Sequence, residues 1–430
     1  MGKRLKAAIA GLGSRGKDTY ARAAKLFPDK MEIAAIADID PAKVRAAAEE
    51  YRVKEEACFA SAEELLAQDK LADVIVIATQ DRQHVKHAVL ALKKGYHVLL
   101  EKPISPDLAE CRKLVKTARE CGRQVVICHV LRYAPFYEKL KELIDAGAIG
   151  EIVSVMAVEN VGWWHQAHSF VRGNWRNSEL SSPMILQKCC HDMDILLWLT
   201  GKTCKSVSSF GDTYLFRKEN APEGAGRRCL DGCRAKEDCP FDAEKIYMDH
   251  KKYGVRSGNR EWPLDVLTLH PTKESVMDAL KSGPYGRCVY DCDNNVVDHQ
   301  VVNLNMTDGA TISLTMCGFT AEISRYTKFM GTRGEIIADM AENTICITRF
   351  GEETETIDMA GTAGELSRHG GGDDRLMEDF LDMIIEGRKP DGRTTSLECS
   401  MESHYCAMAA EESRLKGGAV VEIEPMRRVL

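Results

Sequence analysis

The run Leu5-Lys6-Ala7-Ala8-Ile9-Ala10 passes directly into Gly11-Leu12-Gly13-Ser14-Arg15-Gly16, and this junction constrains the fold more than any other stretch of the chain. A short apolar run reads as a buried strand, and the glycines force a sharp turn at its end. A helical pattern from Lys17 to Phe27 follows. The next strand, Met31 to Ala37, is closed by Asp38, 22 residues beyond Gly16. Strand, glycine turn, helix, strand and acid in that order make a dinucleotide-binding fingerprint in its required setting. Gly11 permits the tight turn, Gly13 lets backbone approach a pyrophosphate, and Gly16 lets helix and strand pack closely. The first helical N–H groups, from Ser14 onward, point at the phosphates. Asp38 would accept hydrogen bonds from the adenosine ribose and repel a 2′-phosphate, which favours NAD over NADP. Arg15 weakens that preference, because its charge could offset the phosphate.

The alternation continues. Helical patterns at Asp40–Tyr51, Ser61–Gln68, Gln83–Lys94 and Asp107–Glu120 separate apolar runs at Asp73–Ala78, Tyr96–Leu100 and Gln124–Cys128. Strands apolar almost throughout, alternating with amphipathic helices, specify a parallel sheet covered on both faces. Cofactor and substrate should meet at the strands' carboxyl ends. Two of those ends carry chemistry: Thr79-Gln80-Asp81-Arg82-Gln83-His84 and Glu101-Lys102-Pro103-Ile104. Sequence position alone leaves Lys102 open as a solvated loop residue, and Pro103 permits a cis peptide bond.

At 430 residues the chain has room for two cores. The reading is an α/β protein: an N-terminal Rossmann domain over 1–128, then an α+β domain over 129–430 with a large, mostly antiparallel sheet. The second domain carries an insertion at about 216–289 and a C-terminal helix that returns to the first domain. A net charge of -7 without a Lys/Arg tract argues against a nucleic-acid partner. No run is long enough to span a membrane and the apolar start is too short for a secretory leader, so the expected location is cytoplasmic. Most of the 16 cysteines then read as small core residues. Cys229, Cys233 and Cys239 are close enough in sequence to suggest a structural zinc, with Cys292, His250 or His270 as fourth ligand.

In the second domain, Val161 to Arg176 is rich in Trp, His and Arg: Trp163, Trp164, His165, His168, Arg172, Trp175 and Arg176. Aromatic faces beside charged donors suit a sugar ring, and equally a domain or subunit contact. The stretch Gln187-Lys188-Cys189-Cys190-His191-Asp192-Met193-Asp194 opens a helix on which His191 and Asp194 can share a face. Strands are expected at Glu151–Asn160, Val296–Met306, Thr311–Cys317, Arg325–Gly331, Glu335–Asp339 and Thr344–Phe350, with a last short one after Ala419. The outer face of that sheet is a candidate contact for a homodimer or homotetramer. His369-Gly370-Gly371-Gly372-Asp373 reads as a flexible loop able to reach the pocket.

GLGSRG with Asp38, the run GYHVLLEKPI and HDMDILLWLTG from His191 to Gly201 together resemble the glucose–fructose oxidoreductase / inositol dehydrogenase / MocA (Gfo/Idh/MocA) family over nearly the whole chain. The resemblance implies that Lys102 contacts both substrate and nicotinamide ribose, and that His191 is the acid–base residue opposite it. Thr79, Gln80, His84, Glu101 and Arg132 join the glycine loop as cofactor contacts. Trp163, Trp164, Arg176, Gln187 and Lys188 join Lys102 and His191 as substrate contacts. The family commonly has an aspartate four residues before the histidine; here that position is Gln187, which cannot take a proton, so Asp192 or Lys188 would have to substitute. The implied activity is NAD-dependent oxidation of a hydroxyl on a sugar, cyclitol or sugar derivative. One alternative is an NAD-dependent glycosidase working by transient C3 oxidation, elimination, water addition and re-reduction. The other is a non-catalytic NAD-binding regulatory or assembly protein.

Overall fold

The computed structural model describes residues 4–361 and 369–428. Six strands, β1 Leu5–Ala10, β2 Met31–Ala37, β3 Cys58–Phe59, β4 Val74–Ile77, β5 His97–Leu100 and β6 Val125–Ile127, form an all-parallel sheet in the order β3-β2-β1-β4-β5-β6. The chain builds outward from β1 on one side, then crosses over to β4 on the other. A ligand crevice therefore opens at the carboxyl ends of β1 and β4. The central strands β1 and β4 are buried almost throughout, as cover by helices on both faces requires. Asp40 and Asp107 each accept a first-turn N–H, which starts the helices Pro41–Tyr51 and Leu108–Cys121 where the chain leaves the sheet. The helix after the glycine turn differs from the regular one the sequence predicts. It is wound wide, with i→i+5 bonding, over Ser14–Ala21, and becomes α-helical only at Ala23–Leu26.

The second sheet has nine strands: β7 Ile152–Asn160, β8 Cys204–Asp212, β9 His299–Met306, β10 Thr311–Cys317, β11 Ser324–Gly331, β12 Gly334–Asp339, β13 Thr344–Arg349, β14 Glu355–Asp358 and β15 Val421–Glu422. Their order is β14-β13-β12-β11-β7-β10-β9-β8-β15, antiparallel except where β7 pairs with β10. Burial alternates along the strands, so one face is packed and the other meets solvent. Two strands escape the sequence reading. β8 is serine-rich and β14 is polar, so neither shows an apolar period.

The insertion is not part of either sheet. It contains one capped helix, Lys273–Ser282, several single turns, and a separate core in which Phe216, Phe241, Tyr247, Leu264 and Val276 pack around Trp164. Beyond it, the helix Gly372–Glu386 buries Leu376, Met377, Phe380 and Leu381 in the same cluster as β1 and Tyr20. The last long helix, Leu397–Leu415, packs on β8 and also meets the first sheet. Ile127 N–H donates to Thr395 O at 2.8 Å, and Ile104 N–H donates to His404 Nε2 at 2.9 Å. The Leu397–Leu415 helix thus ties the second sheet to the first, while the helix before it packs on the first.

Candidate active site

The glycine turn is set by close backbone packing. Gly11 has φ +93°, and a Cβ there would lie 2.4 Å from the Ala78 carbonyl oxygen; a Cβ on Gly16 would lie 1.8 Å from the Gly11 oxygen. A Cβ on Gly13 would meet nothing, so this is the side of the turn open to a pyrophosphate, with half-buried Ser14 beginning the helix beside it. The carboxylate of Asp38 accepts from Leu12 N–H at 2.6 Å and from Asp40 N–H at 2.8 Å. It thereby pins the turn, and a carboxylate has lone pairs left for ribose hydroxyls. These residues fit a dinucleotide.

Arg15 is not free to receive a 2′-phosphate. Its Nε donates to Glu101 Oε1 and its Nη2 to Asp373 Oδ1, both at 2.6 Å. Glu101 also accepts from Tyr20 OH at 2.6 Å and from Lys102 N–H at 2.9 Å. Despite burial, Arg15 and Lys102 hold the Glu101 carboxyl below its usual range, and Arg15 and His369 do the same for Asp373. Among the other expected cofactor contacts, Gln80 is exposed at the crevice, while Thr79 Oγ1 lies 3.0 Å from His87 Nδ1. His84 is buried, its ring nitrogens 2.7 Å from Pro103 O and 2.9 Å from Thr79 O, so it braces two strand-end loops together. The Lys102–Pro103 peptide bond is cis.

Lys102 and His191 meet across the two domains. Lys102 Nζ donates to the carbonyl oxygen of Gln187 at 2.9 Å, four residues before His191. Gln187 is buried and acts through its backbone, where an acid would have acted through its side chain. The helix that the sequence opens at this stretch begins at Cys190 and runs to Thr200, and a separate single turn, Met184–Gln187, precedes it. His191 is buried, and burial followed by the charges of Lys102, His369, His129 and Arg325 holds its pKa well below the usual histidine value. It is a neutral imidazole whose Nδ1 is buried without a partner. The His369 ring lies 5.6 Å away, with its Nδ1 2.9 Å from Asp373 Oδ2, so the His369–Asp373 stretch does reach the pocket.

The anions near this centre come from unexpected places. Lys188 Nζ is 3.0 Å from Glu159 Oε1, and Arg325 Nε is 3.0 Å from Glu159 Oε2 and 2.8 Å from Asp192 Oδ1. Glu159 is fully buried, and its desolvation outweighs both cations, raising its pKa. Asp194 does not bond His191. It accepts a two-pronged pair from Arg132, at 2.7 and 2.6 Å, and lies 2.9 Å from His129 Nδ1.

Several expectations need correction. Arg132 is buried with Nε and Nη2 committed to Asp194, so its fork positions that acid and is not turned to a cofactor. Trp164 is 1% exposed and stacks on Tyr253 at 4.1 Å, and Trp163 packs against Phe241. Both anchor the insertion, and buried Trp164 has no face left to serve as a sugar platform. Arg176 is held by both oxygens of Asp293, at 2.7 and 2.9 Å. The zinc reading of Cys229, Cys233, Cys239 and Cys292 finds no support, because among the described residues no three His, Cys, Asp or Glu side chains are placed to share an ion. Cys229, Cys233, Cys239 and Cys288, not Cys292, line one small pocket beside buried Arg172, which donates to Phe241 O at 2.7 Å.

Sequence reasoning missed Glu159, Arg325 and His129. Two of them left a signal. On β7 and β11 the buried positions alternate, and Glu159 and Arg325 fall on that inward parity directly opposite each other. Opposite charges at facing core positions are legible once the register is known. His129 lies two residues past β6, as Lys102 lies two past β5.

Two family models match in tandem: an oxidoreductase family, NAD-binding Rossmann fold, over residues 5–129, and its C-terminal alpha/beta domain over residues 141–423. The chain is 26% identical over 325 residues to the oxidoreductase YteT of Bacillus subtilis, covering 72% of each protein. It is 29% identical to inositol 2-dehydrogenase of Salmonella typhimurium, covering 48% of this chain and 57% of the enzyme. It is also 29% identical to 2,7-anhydro-N-acetylneuraminate hydratase of Escherichia coli, over 34% of this chain and 38% of that protein. Among solved structures, an oxidoreductase from Agrobacterium radiobacter in complex with NAD+, L-tartaric acid and magnesium shares the fold. It has a TM-score of 0.69 at 16% identity and covers 99% of this chain and 100% of that one.

Proposed function

The chain belongs to the Gfo/Idh/MocA oxidoreductase family, and from that premise we propose that it oxidises a hydroxyl of a sugar, cyclitol or sugar derivative with NAD as partner. The observation that carries this reading is that Lys102 donates to the Gln187 carbonyl while its charge helps hold a buried His191 in the neutral form. Bound NAD would accept a hydride from the substrate carbon. The remaining work falls to side chains. Lys102 places a positive charge where an alkoxide develops, and the Gln187 carbonyl orients that ammonium. His191, uncharged at neutral pH, takes the hydroxyl proton. Asp38, with Arg15 committed to Glu101 and Asp373, favours NAD over NADP. The outer face of the second sheet, where Met156, Phe210 and Val301 are exposed, is the proposed contact between copies.

The hydratase among the relatives favours a second reading, the NAD-dependent glycosidase, in which the same base would act on a transiently oxidised ring. One experiment separates the readings: a panel of sugars, sugar acids, cyclitols and aryl glycosides incubated with and without NAD. Stoichiometric NADH from a polyol supports the dehydrogenase. Phenol release that needs NAD but accumulates no NADH supports the glycosidase. NAD binding without turnover across the panel would reject both and leave a regulatory or assembly role.

A further inference from the structure

Behind His191 lies a second imidazole that the proposed chemistry has not used. His129 is 1% exposed, and its ring centroid is 5.8 Å from that of His191. His129 Nε2 and His191 Nδ1 are both buried and both without a partner. Orphaned buried nitrogens are costly, and on two tilted rings at this spacing a single water would bridge the pair where a direct bond is not made. On its far side His129 approaches Asp194 through Nδ1 at 2.9 Å, close enough for an ion pair though off the line of a well-directed hydrogen bond. A third imidazole, His404, stacks on His129 at 5.7 Å but has no free nitrogen. Its Nε2 accepts from Ile104 N–H, and its Nδ1 is 2.9 Å from the Ser400 carbonyl. His404 therefore confines the His129 ring and cannot receive a proton from it.

We infer that Asp194, His129 and His191 form a proton relay in which His129 is the positioning residue for the base. The inference rests on His191 being the base. The resting tautomers follow from the partners. Ionised Asp194 attracts the Nδ1–H of His129, leaving His129 Nε2 as an acceptor. His191 Nδ1–H donates toward it through the bridging water, so His191 Nε2 carries the lone pair that faces the substrate. When the hydroxyl proton moves to His191 Nε2, the Nδ1 proton passes through the water to His129 Nε2. The positive charge then rests beside Asp194, away from Lys102. Arg132 keeps Asp194 ionised. Lys102, His369 and Arg325 also bear on His191, beside its chain neighbours Cys190 and Asp192, and those three oppose a charge left on it.

The test uses the full-length protein saturated with NADH. Long-range ¹H–¹⁵N correlation on ¹⁵N-histidine-labelled protein, with His191 assigned from its loss in His191→Asn, should show Nδ1–H and a bare Nε2. The opposite tautomer overturns the relay without a substrate being needed. With a substrate from the panel, His129→Asn should retain NADH affinity and lose about 10–100-fold in kcat. Its solvent-deuterium proton inventory should change from curved to linear, because only one proton remains in flight. His129→Gln, which can accept the His191 Nδ1–H but cannot carry a proton, should keep the tautomer and show the same linear inventory. Wild-type kcat and a curved inventory in both His129 variants overturn the relay. Wild-type kcat in His191→Asn overturns the underlying assignment of the base instead.

Discussion

The glycine turn after β1 and the helix start at His191 both belong to the proposed reaction centre, yet they are held by opposite means. At the turn, backbone lies against backbone: Gly11 against Ala78 and Gly16 against Gly11, with Asp38 pinning Leu12. Near His191, charge balances charge: Lys188 and Arg325 on Glu159, Arg325 on Asp192, Arg132 on Asp194. The first arrangement tolerates no added atom but needs no particular charge. The second could accommodate small changes of shape but not an unpaired ion.

That contrast is open to test. The largest effect should come from Gly16→Ala, because no side chain can give way to a Cβ placed 1.8 Å from a carbonyl oxygen. NADH titration should show binding lost, and unimpaired binding would mean that the turn is not defined by contact. Next is His191→Asn, expected to lose about 10²–10⁴ in kcat while NADH affinity stays at the wild-type level. Loss of affinity instead would merge the two regions into one structural unit. Arg325→Met strands Glu159 and Asp192 near Lys188 alone, and urea unfolding should show about 3–5 kcal/mol less stability. A neutral result would show that the buried charges on this side are dispensable. Smallest is Asp265→Asn in the insertion. Burial and Asp18 push the Asp265 carboxyl up to about 6. A raised carboxyl costs its full penalty above that pH, loses it progressively as pH falls toward the unfolded value of about 4, and costs nothing below both. The variant should therefore gain on the order of 1–3 kcal/mol at pH 7.5 and little at pH 4, read by thermal melts at both.

Acid should also act on the histidines as a group. Burial holds His168 and His404 to about 3, and holds His191 and His165 below the ordinary value. Below about pH 6.5 the unfolded chain takes up protons that these folded sites refuse, so stability falls as pH falls through that window.

Legibility in the sequence follows the same division. The glycine turn could be read because its requirements are local: a strand, a turn and a helix within a few residues of one another. Lys102 and His191 could be paired only through resemblance, since nothing in their own neighbourhoods brings them together. The aromatic loop misled because Trp163 and Trp164 look alike in a sugar pocket and in a small hydrophobic core. Only the packing of Tyr253, Trp262 and Phe241 around them distinguishes the two. Arg15 misled in the other direction. Its competing partners, Glu101 and Asp373, lie 86 and 358 residues away.

The sequence alone therefore determined the parallel sheet, its glycine turn, the acid at the end of β2 and the place of Lys102 at a strand end, because periodicity and turn geometry act over a few residues. Tertiary structure decided which charges neutralise one another, that Gln187 serves through its carbonyl, that the tryptophans hold the insertion, and that His129 stands behind His191. Those outcomes depend on which distant side chains are buried together, and burial is what turns a nearby charge or an unpaired nitrogen into a constraint on chemistry.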